Sequence, residues 1–144
     1  MPKPLWIVVA NGSRARLLQR DHPGAALREI KDWTHPSTRQ HTANPDSAHR
    51  TSGTRGRSGL AQRQSPQAHA REQFARDIGA WLKTSLGPQG VGAVAVFASN
   101  PFLGELLSHG HAALDPLLCA SHALDLTGLS LPDLDLRLRE QHGL

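Results

Sequence analysis

Hydrophobic positions along this chain fall into patterns that predict different elements. Leu5 to Ala10 is a continuous apolar run rich in β-branched residues, which predicts a strand buried on both faces. Asn11-Gly12-Ser13 is a turn signal. Ala15 to Gln19 predicts a second strand and Asp21-His22-Pro23-Gly24 a second turn. Ala26 to Trp33 predicts a third strand, interrupted by Arg28, Glu29, Lys31 and Asp32. Short turns between short strands make an antiparallel meander. Helical spacing begins later. Phe74, Ile78, Trp81 and Leu82 recur at offsets 0, 4, 7 and 8, one apolar face of a helix. Ser65-Pro66 supplies its N-cap and first-turn proline, and Gly87-Pro88 closes it. Val91 to Ala98 reads as another buried strand. Asn100-Pro101 repeats the cap-and-proline signal before Phe102, Leu103, Leu106 and Leu107. Asp115-Pro116 turns into a strand near Leu118 to Ser121, and Ser130 caps a last helix carrying Leu134 and Leu138.

Thr34 to Ser65 has no hydrophobic period, and Leu60 is its one large apolar residue. Such a segment buries too little surface to offset the ordering of its backbone, so residues 34–65 are expected to form a long, basic, flexible loop. The order is three strands, loop, helix, strand, helix, strand, helix. It predicts one α/β domain over residues 1–144: a single mixed sheet of about five strands, covered by helices on both faces. That order is shared by the ribonuclease-H-like three-layer arrangement.

The 144 residues carry 16 basic and 12 acidic side chains, a formal net charge of +4, with one cysteine and no tyrosine. The sequence pI of 10.2 exaggerates this small excess, because few groups titrate between histidine and lysine. Position says more than the total. From Thr34 to Arg71 six arginines face one acid, Asp46; from Asn100 onward six acids face Arg137 and Arg139. No apolar run approaches the roughly 20 residues of a membrane span. The apolar run behind Met1-Pro2-Lys3-Pro4 is too short for a secretory signal, so a cytoplasmic location without membrane contact is expected. The lone Cys119 excludes an internal disulfide framework and, in its apolar stretch, reads as a buried small hydrophobe.

Two-metal nuclease chemistry needs carboxylates clustered on adjacent strands. The first strand offers none, with Asn11 at its end, and Asp21, Glu29 and Asp32 fall at turns or on an ordinary charged face. His109-Gly110-His111, and His35, His41 and His49 along the loop, lack zinc-ligand spacing and read as solvated. Phosphate-loop, dinucleotide and nucleophile-elbow motifs are absent. No metal and no cofactor are expected. The loop itself remains: Thr54-Arg55-Gly56-Arg57-Ser58-Gly59 sets guanidinium groups on a backbone able to follow a phosphate chain. Either it is a solvated loop or it contacts RNA. Trp6, Phe74, Trp81 and Phe97 lie on core faces, which leaves Trp33, at the mouth of the loop, as the candidate base-stacking residue.

Trp6 to Leu17 (Trp-Ile-Val-Val-Ala-Asn-Gly-Ser-Arg-Ala-Arg-Leu) resembles the opening of the bacterial host-attachment proteins, also called proteins required for attachment to host cells. Ser65-Pro66 through Arg71-Glu72-Gln73-Phe74-Ala75-Arg76 to Leu82 resembles their main helix. Phe97-Ala98-Ser99-Asn100-Pro101-Phe102-Leu103-Gly104 and Asp125-Leu126-Thr127 are similar to two further blocks. The similarity runs over nearly the whole chain. Asn11 stands where an aspartate is common, and Leu124 where a lysine often precedes Asp-Leu-Thr. The resemblance implies kinship with the central domain of archaeo-eukaryotic peptide-chain release factors, in which a Gly-Gly-Gln loop enters the ribosomal peptidyl-transferase centre just before the long helix. Gly56-Arg57-Ser58-Gly59-Leu60-Ala61-Gln62-Arg63 stands at the equivalent place, without Gly-Gly-Gln and with Gln62 displaced.

The expectation is a noncatalytic or weakly catalytic, translation-associated module that contacts ribosomal RNA or tRNA through Arg55, Gly56, Arg57, Gly59 and Arg63. One alternative is a peptidyl-tRNA ester hydrolase in which Gln62 orients water as the catalytic candidate. The other is a host-attachment protein that acts by binding another protein.

Overall fold

The computed structural model describes residues 2–35 and 65–144. Five strands, β1 (Leu5–Ala10), β2 (Arg14–Arg20), β3 (Leu27–Thr34), β4 (Ala93–Ala98) and β5 (Leu118–His122), form one sheet in the order β3-β2-β1-β4-β5. β1 is antiparallel to β2 and β2 to β3, whereas β1 runs parallel to β4 and β4 to β5. Three helices complete the order: α1 (Pro66–Ser85), α2 (Phe102–Leu114) and α3 (Leu131–His142). The mixed α/β sheet expected from the order of elements is the one observed.

Strand alternation divides the core in two. Trp6, Val8 and Ala10 of β1, with Leu17, Val94 and Val96, point to the face covered by α1 and α2. Ile7 and Val9, with Leu18, Ala95 and Phe97, point to the face where Leu134 and Leu138 of α3 pack. β1 and β4 lie between other strands and between two helical layers, so they are apolar on both sides. The shared face of α1 is Phe74, Ile78 and Leu82, all buried. Trp81 is less enclosed than its helical spacing implies. Its ring stacks on Trp6 at 5.7 Å, while Trp33 meets it edge-on at 5.4 Å.

Caps behave as expected at two helices. The hydroxyl of Ser65 accepts from the Ala68 amide at 3.0 Å, and that of Ser130 from the Asp133 amide at 3.2 Å, satisfying donors left free in a first helical turn. The third differs from expectation. Asn100-Pro101 is a cis peptide, and the cap of α2 is Pro101, with no side-chain hydrogen bond. A dipeptide that reads as a cap is here a turn between β4 and the helix. Cys119 also differs: it is exposed on the edge strand β5, at the register irregularity between Leu118 and Ala120, where it pairs with no residue of β4.

α1 and α2 cross where two glycines meet. A Cβ on Gly79 would come within 3.2–3.3 Å of the His109–Gly110 backbone, whereas one on Gly104 of α2 would meet nothing within 4 Å. Gly79→Val should therefore destabilise the protein by about 2 kcal/mol through overpacking. Gly104→Ala should stabilise it by about 0.5–1 kcal/mol through helix propensity and reduced unfolded-state entropy. Chemical denaturation of the two variants checks the opposite signs.

Candidate functional site

The chain leaves the adjacent parallel strands β1 and β4 in opposite directions, β1 toward β2 and β4 through α2 toward β5. In open α/β sheets the crevice beyond the carboxyl ends of such strands is the usual place for a ligand. Ala10 and Ala98 face each other there in register. The next residues are Asn11-Gly12-Ser13 on one side and Ser99-Asn100-Pro101 on the other.

Asn11 uses its whole amide. Its Oδ1 accepts from the backbone amides of Ser13 and Arg14, both at 2.9 Å, which closes the turn after β1. Its Nδ2 donates to Asp125 Oδ2 at 3.0 Å and to Thr127 Oγ1 at 3.1 Å. Asp125 in turn accepts from the amide and the hydroxyl of Thr127 at 3.0 and 2.6 Å. Burial alone would raise the pKa of Asp125, but the hydrogen bonds from Thr127 and Asn11 outweigh it and hold the carboxyl below its ordinary 3.8. A depressed folded-state pKa contributes stability above pH 3.8 that is lost as acid protonates the group.

The network continues through Arg16. This β2 side chain is 5% exposed. Its Nη1 donates to the carbonyls of Thr127 at 3.0 Å and Leu129 at 2.6 Å. Its Nε and Nη2 form a two-point contact with Glu29 of β3, at 3.1 and 2.7 Å. Glu29 is thus the partner of a buried guanidinium rather than part of an ordinary charged face. On the opposite face of the sheet, Arg71 of α1 grips Glu105 of α2 at 2.7 and 3.0 Å. The Arg71 methylenes cross Gly12 so closely that a Cβ there would lie 3.2 Å away. A larger residue at this turn would have to push the Arg71 side chain aside by a few tenths of an ångström.

Both flanks of residues 36–64 are fixed at this same end. The amide of His35 donates to the Ser13 carbonyl at 3.2 Å, and its buried ring meets Phe74 of α1 edge-on at 5.4 Å. His35 is therefore a core contact at the end of β3 and not a solvated loop histidine. Ser65 begins α1, whose Arg71 and Phe74 reach the same turn and the same histidine. Arg55, Gly56, Arg57, Gly59, Gln62 and Arg63 lie outside the described residues, as do His41 and His49. Trp33 is half-buried, with Trp81 edge-on to it and Lys31 Nζ 5.1 Å from both ring centroids. Among the described residues, no three of His, Cys, Asp and Glu come together as a metal-ligand set. Chemically, the described part of the crevice is a braced polar platform whose amide, carboxylate and guanidinium groups satisfy one another.

A family model described as "protein required for attachment to host cells" matches residues 6–138. The chain belongs to this family. Among solved structures, the chain resembles archaeal translation termination factor aRF1 at 12% identity and a TM-score of 0.50, over 97% of its own length. It covers 42% of that factor, so it corresponds in fold to less than half of the larger chain. It is also similar to the type II variant of the Aquifex aeolicus Ppx/GppA phosphatase, at 9% identity and a TM-score of 0.43, over 83% of this chain and 35% of that one. No curated protein matches the sequence. No helix among the described residues is long and apolar enough to cross a membrane.

Sequence reasoning identified Asn11-Gly12-Ser13 as a turn and missed the polar network built on it. The available signals were the Asp125-Leu126-Thr127 block and an arginine in the middle of an apolar strand. Arg16→Met should cost about 3 kcal/mol or more, because it strands one buried and one partly buried carbonyl and a carboxylate, as measured by denaturant unfolding. Asn11→Asp should set two carboxylates about 3 Å apart, close enough that one resists ionisation. That raised pKa makes the folded state hold more protons than the unfolded state. The variant should be least stable near neutral pH and regain stability on acidification, as read from thermal midpoints across pH.

Proposed function

We propose that this host-attachment protein is a translation-associated module that binds ribosomal RNA or tRNA through its arginine-rich segment, with Arg55, Gly56, Arg57, Gly59 and Arg63 as the contact residues. The observation that carries this reading is the mounting of residues 36–64. Their flanks, His35 and Ser65, are pinned at the switch-point end of the sheet by Ser13, Phe74 and the cap of α1. The segment so mounted contains five arginines and one acid, Asp46. Guanidinium groups on a glycine- and serine-rich backbone suit phosphate contacts, which dominate nucleic-acid affinity. The fold likeness to a translation termination factor, over nearly the whole chain, favours ribosomal or transfer RNA over other polyanions. The paired side chains of the crevice serve in this reading as a rigid mount, and the module is located in the cytoplasm.

The family description favours a second reading, a protein partner engaged during attachment to host cells. Sedimentation of cell extract through a density gradient, with and without ribonuclease, separates the two. RNA binding predicts co-migration with ribosomal or transfer RNA that ribonuclease abolishes. It also predicts that Arg55→Glu with Arg57→Glu weakens association by about ten-fold or more, and that association falls steeply with added salt. Migration unchanged by ribonuclease, by charge reversal and by salt would establish the protein-partner reading instead. Equal rates of peptidyl-tRNA hydrolysis by the wild type and Gln62→Ala would remove Gln62 from any catalytic role.

A further inference from the structure

The face of the sheet opposite α1 and α2 carries a group that the candidate site does not use. Phe97 of β4 is fully buried and touches two imidazoles. His122, at the end of β5, stacks on it at 5.2 Å, and His142, in the last turn of α3, meets it edge-on at 4.8 Å. The two imidazoles are themselves 4.8 Å apart. Among the described residues, Nε2 of His142 is the buried side-chain polar atom without a hydrogen-bond partner. Such an orphan in a packed structure calls for a reason.

In the neutral ring with its proton on Nδ1, Nε2 is a bare lone pair, and leaving it unpaired costs less than burying an unpaired charged donor. A second proton, taken from solvent, creates an N–H that points at no acceptor. The charged groups acting on the ring are His122 from β5 and Arg137 from its own helix, while β4 contributes the uncharged Phe97. Both repel an imidazolium. Burial, His122 and Arg137 together hold the His142 pKa below its ordinary 6.5. The neighbouring packing is Leu134 and Leu138, through which α3 covers Ile7, Val9 and Phe97.

We propose that the Phe97–His122–His142 cluster is an acid-sensitive latch that holds the C-terminal end of α3 against the sheet and releases it when His142 takes up a proton. A histidine whose folded-state pKa is depressed leaves stability intact above the unfolded value and removes it as pH falls through 6.5. Release exposes the apolar patch around Phe97 and Leu138 while α1 and α2 keep the other face covered. The latch is independent of the arginine segment and of RNA binding.

The test is a histidine NMR titration of the whole chain, combined with amide hydrogen exchange at pH 7.5 and pH 5. Exchange rates are corrected for their intrinsic pH dependence. His142 should titrate below 6.5, and its value should rise in His122→Gln. Amides of the last two turns of α3 should exchange several-fold faster at the lower pH while those of α1 do not, and His142→Gln should remove that difference. His142 titrating at or above 6.5, α3 responding no more than α1, or an acid response unchanged by His142→Gln would each overturn the latch. Should His142→Gln fail to fold, the wild-type titration and the His122→Gln variant decide the question.

Discussion

The guanidinium of Arg16 is the contact on which the switch-point end of the sheet depends. Taking that charge out of water is costly, and the cost is offset only because two carbonyls of the 127–129 loop and both oxygens of Glu29 meet it. One side chain on β2 thereby fixes β3 on one side and the approach to α3 on the other. It also specifies register. A slip of one residue would turn Arg16 and Arg20 into the apolar layer beneath α1 and Leu17 out of it. Arg20 repeats the device further along the strand, 2% exposed and bonded to Asp135 Oδ1 and to the Ala25 and Leu144 carbonyls.

Pairing of this kind takes up half of the acids in the C-terminal third. Glu105, Asp125 and Asp135 belong to the acidic C-terminal third, and each is committed within the fold, to Arg71, to Asn11 and Thr127, and to Arg20 and Arg139. Arg71, which counts with the basic stretch by position, is likewise held. What remains of the basic excess in that stretch belongs to residues 36–64. The overall charge of +4 is therefore a poor guide to partners, and its location a better one.

The fold was legible where burial is two-sided. β1 and β4 announce themselves as apolar runs because they are central, and α1 by a face that recurs at helical spacing. Asn100-Pro101 misled because a polar residue before proline serves equally as a helix cap and as a turn. Cys119 misled because apolar neighbours in an edge strand do not reveal the register irregularity that leaves it unpaired and exposed. The candidate site was legible only as a turn. Asn11 and Asp125 are separated by 114 positions and Arg16 and Thr127 by 111, and no local pattern encodes such pairings. Glu29 looked like any charge on a strand until β2 and β3 were set side by side.

In the proposed reading the crevice is a structural mount and RNA recognition belongs to residues 36–64. Ultraviolet crosslinking of the protein to RNA in cell extract, with the crosslinked peptides located by mass spectrometry, tests this most directly. Crosslinks are expected to concentrate between His35 and Ser65, with none on α3. Crosslinks confined to the α3 face, or an absence of crosslinked RNA under conditions that capture ribosomal proteins, would contradict the reading.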